Sequence, residues 1–151
     1  MDQILPVVAQ IAGKVNYDGY DRRILANTTY DVNKNSRQWT WQVCTEFGWF
    51  QTPAEQNPLR SDLIAPGYWS PFCEALFGKE NSEPKVDFYN KLYGGLNITG
   101  DKILFVNAGE DPWQWAGMRS IYNATLQAGM KAVLITCDDC AHCVDLKTPS
   151  P

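Results

Sequence analysis

Long apolar runs and clustered basic residues are both missing from this sequence of 151 residues. No apolar stretch approaches the ~20 residues that a membrane-spanning helix needs, so we expect no membrane span. The 13 lysines and arginines are scattered among 17 acidic residues, and the formal net charge is -4. Because phosphate binding needs clustered positive charge, these absences argue against nucleic acid as a partner.

Apolar and aromatic residues are abundant instead. They make up 44% and 13% of the chain, and this length suits a single domain with a core of its own. Aromatic rings in such numbers either fill a core or line an apolar pocket. The composition therefore predicts a folded domain rather than a disordered tail.

Three glycosylation sequons and an odd number of cysteines, five, indicate the secretory route. The sequons lie at Asn27, Asn97 and Asn123. Residues 4–12 are apolar, but an acidic residue stands where a signal peptide is basic, so we interpret residues 4–13 as a helix. A signal peptide is therefore expected upstream of Met1, which would make this sequence a piece of a longer protein.

The two halves of the chain differ in regularity. Four prolines punctuate residues 53–71, which we predict to be loops with only short helical turns. In the second half the pattern predicts a helix at 85–93 ended by two glycines, a strand at 103–106, a helix at 113–127 and a strand at 132–136. Continuous apolar strands joined through a helix are typical of an α/β fold with a parallel sheet. Ligand chemistry in such sheets lies on loops beyond the carboxyl ends of the strands.

Two residues on such loops, Asp111 and His142, form a candidate catalytic pair. Each has a structural alternative, because a carboxylate before Pro112 can cap a helix and a lone histidine is more often structural. Thirty-one residues separate the pair, enough for one helix and one strand, which would place them on adjacent loops. An acid followed by a histidine ends the α/β-hydrolase order of serine, acid and histidine. There the acid orients the imidazole, and the imidazole takes and returns the serine proton.

Four blocks of the sequence resemble the signature blocks of one peptidase family. They are RQWTWQVCTEFG at 37–48, YGGLN at 93–97, ILFVN at 103–107 running into DPW at 111–113, and AHCVDL at 141–146. The family is that of lysosomal Pro-Xaa carboxypeptidase, lysosomal dipeptidyl peptidase and thymus-specific serine peptidase. The blocks occur in the family's order and cover most of the chain from Arg37 onward.

The resemblance implies a fold, an activity and roles for single residues. Residues 19–151 would be the C-terminal portion of an α/β-hydrolase domain, and residues 1–18 the end of its helical cap. Asp111 would be the triad acid, His142 the triad histidine, and Trp113 part of an apolar pocket for the substrate residue at the cleaved bond, often proline. An ordinary core residue is the equal alternative for Trp113. The implied protein is a lysosomal or secreted serine-type exopeptidase, of Pro-Xaa carboxypeptidase or dipeptidyl peptidase type. It would act on peptides without a cofactor.

The sequence departs from the family pattern at two points. It has no Gly-x-Ser-x-Gly elbow, so the nucleophilic serine would lie in an N-terminal part of the same protein, and the chain alone is expected to be inactive. Where the family usually has glycine before its Ala-His pair, this sequence has CDDC at 137–140. Two acidic residues so near the histidine bear on its basicity and on the geometry of its loop. Glu46 falls in a recurrent block of the family without an assigned role.

The cysteines leave several pairings open. The resemblance implies that Cys44 pairs across the fold with a cysteine outside this chain, and a buried free thiol is the alternative. Cys73 has no assigned partner. A disulfide can also form within the group Cys137, Cys140 and Cys143, and the spacing does not indicate which pair.

Two other classes of function are alternatives to the peptidase. Cys137, Cys140 and Cys143 together with His142 suggest a small zinc or iron–sulfur module, since thiolates and imidazole are preferred ligands of such metals. No second Cys-x-x-Cys or distant histidine completes a tetrahedral site, so we expect no metal. The other alternative is a truncated remnant that binds a partner without catalysis.

Overall fold

The computed structural model describes residues 19–118 and 128–146 of the chain. They belong to two compact units whose boundary falls between Val86 and Asp87. Helices make up the regular structure described in the first unit, and the second contains a two-stranded parallel sheet.

The predictions for the N-terminus fall on residues that are not described. The helix predicted at 4–13 and the proposed end of a cap at 1–18 both lie outside the described ranges. Within those ranges, no helix combines the length and the hydropathy needed to cross a membrane.

The first unit is built from α-helices and short helical turns. The α-helices are α1 at Arg22–Leu25, α2 at Ser36–Gln42 and α3 at Pro66–Phe77. A π-helical turn at Val43–Phe47 continues α2, and 3-10 turns occupy Asp62–Ile64 and Lys79–Asn81. The aromatic run of the first sequence block and the cysteine that follows it therefore lie on one continuous helical segment.

Buried residues from α1, the π-helical turn and α3 form one cluster. They are Leu25, Cys44, Trp69, Phe72 and Cys73. The Trp69 ring stacks on Phe50 with the centroids 5.1 Å apart and meets the edge of Phe72 at 5.6 Å. Part of the aromatic content of the sequence thus fills the core of this unit.

The helix α3 corrects the prediction of loops with only short helical turns up to residue 71. Pro66 occupies the first helical position, where a missing N–H costs nothing because first-turn N–H groups have no partner within the helix. Pro71 lies inside the helix, which costs ~3 kcal/mol. Burial of Trp69 and Phe72 contributes about 1.5–3 kcal/mol for each side chain and offsets that cost.

A disulfide between Cys44 and Cys73 corrects the prediction that Cys44 pairs outside the chain. Both sulfur-bearing side chains are buried in the core cluster, Cys44 on the π-helical turn and Cys73 on α3. The pairing follows from α3, because that helix carries Cys73 onto the turn that holds Cys44. A sequence interpretation without α3 has no means of bringing the two together.

The helix α4, Val86–Tyr93, starts at the last residue of the first unit and continues into the second. The second unit also contains two strands, β1 at Ile103–Ala108 and β2 at Met130–Ile135. The helix predicted at 85–93 and the two strands are confirmed, with each strand slightly longer than predicted. Gly94 follows α4 with a φ of 94°, a left-handed conformation that ends the helix. The strands pair in parallel over their full length, from Ile103 opposite Met130 to Ala108 opposite Ile135.

The segment after β1 differs from the predicted helix at 113–127. A 3-10 turn spans Pro112–Trp115, and residues 116–118 form a turn and a bend rather than a helix. The side chain of Asn107 reaches this segment, its Nδ2 donating to the Met118 carbonyl at 2.7 Å. Residues 119–127 lie outside the described part of the chain, so the remainder of this prediction falls on them.

Candidate active site

Asp111 lies three residues beyond the carboxyl end of β1. Its backbone N–H donates to the Ala108 carbonyl at 3.2 Å, which closes a tight turn. Its Oδ1 accepts a hydrogen bond from the Trp113 N–H at 2.9 Å, so the carboxylate caps the 3-10 turn Pro112–Trp115. Asp111 therefore does act as a structural cap, but the cap uses only one of the two carboxylate oxygens.

The second oxygen of Asp111 is directed at His142. His142 Nδ1 lies 2.6 Å from Asp111 Oδ2, a hydrogen-bond distance slightly shorter than the about 2.7–2.9 Å typical of a charge-assisted N–H···O bond. Asp111 is 8% exposed, whereas the His142 side chain is 66% exposed. A buried carboxylate with both oxygens occupied thus holds one nitrogen of an accessible imidazole.

Backbone hydrogen bonds extend the sheet into the two loops that carry this pair. Gly109 N–H donates to the Ile135 carbonyl at 2.9 Å, and Glu110 N–H donates to the Cys140 carbonyl at 2.9 Å. The loop after β1 is therefore fastened to the loop after β2 at two points directly before Asp111. The spacing of the pair predicts adjacent loops, and the parallel pairing of β1 with β2 produces them.

Gln114 supports the same turn and was not singled out from the sequence. Its Nε2 donates to the Gly109 carbonyl at 2.6 Å, and the residue is 8% exposed. A polar residue between two tryptophans is the signal that could have found it, because a buried amide needs a partner. Gln114 thereby ties the 3-10 turn to the end of β1.

The backbone of Trp113 contacts the pair, because its N–H donates a hydrogen bond to Asp111 Oδ1. Its neighbour Trp115 is 67% exposed. The assignment of Trp113 to a substrate pocket stays a prediction.

The three cysteines near His142 divide into a disulfide and a thiol. Cys137 and Cys140 are joined, and Cys143 is free and exposed. The disulfide takes up two of the three sulfur atoms that the metal-binding alternative would use. Over residues 19–118 and 128–146, no group of three or more His, Cys, Asp or Glu side chains is arranged to hold a metal ion.

The other candidate residues lie apart from this pair in sequence. Asn27 and Asn97 are exposed, and Asn123 falls outside the described residues. Glu46 lies on the π-helical turn and lines a cavity of about 700 Å³ in the first unit. Arg37 lines the same cavity, with its guanidinium 4.7 Å above the centre of the Phe77 ring.

A family profile described as Serine carboxypeptidase S28 matches residues 5–151 of the chain. The chain belongs to the serine carboxypeptidase S28 family. This confirms the resemblance carried by the four sequence blocks. The S28 family is one of serine peptidases, and the fold seen here, helices with a parallel two-stranded sheet, is consistent with a part of such a protein.

Individual S28 relatives give the same answer. The chain is 37% identical over 128 residues to the probable serine protease EDA2 of Arabidopsis thaliana, and the aligned region covers 85% of this chain and 25% of that protein. It is 37% identical over 94 residues to a probable extracellular serine carboxypeptidase of Arthroderma benhamiae, covering 60% of this chain and 13% of that protein. Identity to the thymus-specific serine protease of Mus musculus is 30% over 130 residues, with 84% and 24% covered. The chain thus spans about a quarter of the length of EDA2 and of the mouse protease.

Proposed function

We propose that Asp111 and His142 are the acid and the base of a serine–histidine–aspartate triad in an S28 serine exopeptidase. The observation that carries this proposal is the 2.6 Å separation of Asp111 Oδ2 and His142 Nδ1. The chain has no Gly-x-Ser-x-Gly segment, so the nucleophilic serine would come from another part of the same protein. On this proposal the 151 residues alone are inactive.

The geometry supports a division of roles between the two side chains. The Trp113 N–H holds Oδ1, so Asp111 presents Oδ2 to the ring in a fixed orientation. A carboxylate that accepts from Nδ1–H keeps the proton on that nitrogen and leaves Nε2 to accept the proton of a serine hydroxyl. The same imidazole would then return the proton to the leaving amine.

We also propose that the described residues belong to an α/β-hydrolase domain. Residues 19–151 would be its C-terminal portion, and residues 1–18 the end of a helical cap. Support comes from β1 and β2, which are parallel, and from the position of the pair beyond their carboxyl ends, where ligands bind in open α/β sheets.

The substrate class proposed here is a peptide cleaved near one end, with proline at the cleaved bond. A relative from Arthroderma benhamiae is named a probable serine carboxypeptidase, which supports exopeptidase action of the carboxypeptidase type. A dipeptidyl peptidase is the other type considered. Trp113 would supply apolar surface to the pocket for the proline ring.

The proposed location is lysosomal or extracellular. The Arthroderma benhamiae relative is named extracellular. Asn27 and Asn97 are exposed, as glycosylated asparagines must be. We expect a glycosidase specific for N-linked glycans to lower the apparent mass of the protein made in a secretory host.

The test of the catalytic proposal uses the protein extended upstream to include its serine elbow. His142→Ala should abolish labelling by an active-site fluorophosphonate, because the serine then has no base. Asp145→Asn is the matched control, since Asp145 is exposed three residues along the chain. Retained labelling and peptide turnover in His142→Ala would refute the assignment.

A further inference from the structure

The loop between β2 and His142 is closed by the disulfide Cys137–Cys140. Cys137 is the second residue after β2, and Cys140 is the second residue before His142. The bond therefore spans nearly the whole connection from the sheet to the imidazole. No other covalent link in the described chain joins residues of this loop.

Cys140 connects both halves of the candidate pair. Its carbonyl accepts the Glu110 N–H at 2.9 Å, and Glu110 is the residue before Asp111. Cys140 itself is fully buried, at 0% exposure. A displacement of Cys140 would move His142 along its own loop and would break the backbone bond next to Asp111.

The turn that the disulfide closes has a backbone that needs restraint. Asp139, inside this turn, has a φ of 64°, and Cys143, three residues beyond it, has a φ of 55°. Both lie in the left-handed region that residues other than glycine seldom adopt. Within the turn, Cys140 N–H donates to the Cys137 carbonyl at 3.3 Å and Ala141 N–H to the Asp139 carbonyl at 2.9 Å. Together with the Glu110 N–H bond to the Cys140 carbonyl, the disulfide restrains the conformation of this loop.

We propose that the Cys137–Cys140 disulfide positions His142 against Asp111 and makes this pair sensitive to dithiol reductants. Cys137 is exposed, whereas both cysteines of the Cys44–Cys73 disulfide are buried in the core of the first unit. Exposed disulfides are the more readily reduced. A reductant therefore opens the bond beside His142 before the bond in the core.

The reduction is a thiol–disulfide exchange that consumes one dithiol. A thiolate of the dithiol attacks the exposed Cys137 sulfur, forms a mixed disulfide and releases the Cys140 thiolate, which takes up a proton. The second thiol of the reductant then attacks the mixed disulfide and releases Cys137 as a thiol. The oxidised reductant leaves as a cyclic disulfide. Two electrons and two protons pass from the dithiol to Cys137 and Cys140.

The first test follows the imidazole of the 151-residue chain itself. His142 is the only histidine, so we expect its ring to give one set of NMR signals, including a low-field Nδ1 proton bound to Asp111. Mild dithiothreitol should raise the number of free thiols per chain from one to three, while Cys44 and Cys73 stay paired. The low-field proton should be lost over the same titration and return on reoxidation.

Variants separate positioning from a general effect of thiols. Cys143→Ser should respond to dithiothreitol as the parent chain does, because it keeps the disulfide. The double variant Cys137→Ser with Cys140→Ser should lack the low-field proton without any reductant, and reversible reduction of the parent chain serves if this variant fails to fold. Two new thiols with an unchanged His142 spectrum would overturn the inference, as would a low-field proton that is absent from the oxidised chain.

An activity measurement ties the inference to the proposed function on which it partly rests. In the protein extended upstream, reduction of Cys137–Cys140 should lower kcat on the order of 100-fold, the loss expected when a catalytic group is misplaced by about 1 Å. Failure of the proposed function would appear differently, as full activity in His142→Ala with an intact NMR response to reductant. Unchanged kcat after reduction in a protein that does require His142 would refute the positioning role.

Discussion

Asp111 uses its two carboxylate oxygens for two different partners. Oδ1 accepts from the Trp113 N–H, and Oδ2 lies 2.6 Å from His142 Nδ1. The first contact fixes the carboxylate on the 3-10 turn, and the second orients the imidazole ring against the fixed carboxylate. At the scale of the residue, a structural cap and a proposed catalytic role are therefore parts of one arrangement.

Replacing Asp111 with asparagine separates these two uses. The amide oxygen of the new side chain can still accept from the Trp113 N–H, but its N–H would face His142 Nδ1 and favour the tautomer with the proton on Nε2. That nitrogen could then no longer accept the serine proton. In the protein extended upstream, Asp111→Asn should lower kcat about 10⁴-fold with little change in the unfolding temperature. Kinetics of peptide hydrolysis check this, with Asp145→Asn as control, and a loss below about tenfold would contradict the role of Asp111.

Gln114 gives a prediction about stability at the same scale. Gln114→Ala removes the donor to the Gly109 carbonyl and leaves that group without its side-chain partner next to the candidate pair. The free energy of unfolding should fall by about 1–3 kcal/mol. Urea denaturation measures the change, and Gln38→Ala, an exposed position on α2, should stay within about 0.5 kcal/mol. A similar effect of both substitutions would show that the contact of Gln114 contributes nothing of its own.

At the scale of elements, the Cys44–Cys73 disulfide joins the π-helical turn to α3. Twenty-nine residues separate the two cysteines, and closing a loop of that length is worth about 3.5 kcal/mol in the chain-entropy account. Replacing both cysteines by alanine should lower the free energy of unfolding by roughly that amount. Tryptophan fluorescence measures the transition, because Trp69 lies in the same cluster. Cys143→Ser should leave the unfolding transition unchanged, since this cysteine is free and exposed.

The elements that the sequence predicts correctly are those whose signal is local. The strands β1 and β2 carry continuous apolar residues, and α4 ends at Gly94, whose left-handed conformation few other residues adopt. The helix α3 escapes prediction because proline normally breaks helices, although Pro66 is tolerated at the first helical position and burial outweighs the effect of Pro71. The helix predicted after Asp111 begins instead as a 3-10 turn, because a capping carboxylate before proline begins a 3-10 turn as readily as an α-helix.

The sequence predicts the two side chains of the candidate pair, but it does not predict the contacts that hold their loops in place. Asp111 and His142 follow from their order, their spacing and the sequence blocks around them. Gln114 and the carbonyl of Cys140 act through contacts with the backbone of residues 109 and 110, and such contacts depend on the turn geometry rather than on a residue pattern. The Cys137–Cys140 bond is one of several possible pairings for the same reason, since a spacing alone does not select a partner.

At the scale of the whole molecule, β1 and β2 carry exposed apolar side chains that a parallel sheet normally covers. Leu104 is 58% exposed and Val133 42%, and both lie on one face of the sheet. Parallel strands are covered on both faces in known α/β folds. The chain spans about a quarter of the length of EDA2 and of the mouse protease. In the proposed α/β-hydrolase domain, residues outside this sequence would cover this face.

Leu104 should accordingly act as a core residue in the protein extended upstream, although it is exposed here. Leu104→Lys would bury a second positive charge beside Lys131, its register partner on the same face of the covered sheet. The free energy of unfolding should fall by at least about 3 kcal/mol, on the order seen for uncompensated buried charges. Leu59→Lys is the matched control, because Leu59 lies in a proline-flanked loop and is fully exposed. That substitution should change stability by no more than about 0.5 kcal/mol. Since both variants add the same charge, an equal loss from the two would mean that this face of the sheet stays open in the whole protein, and the proposed α/β-hydrolase sheet would then lack its covering layer.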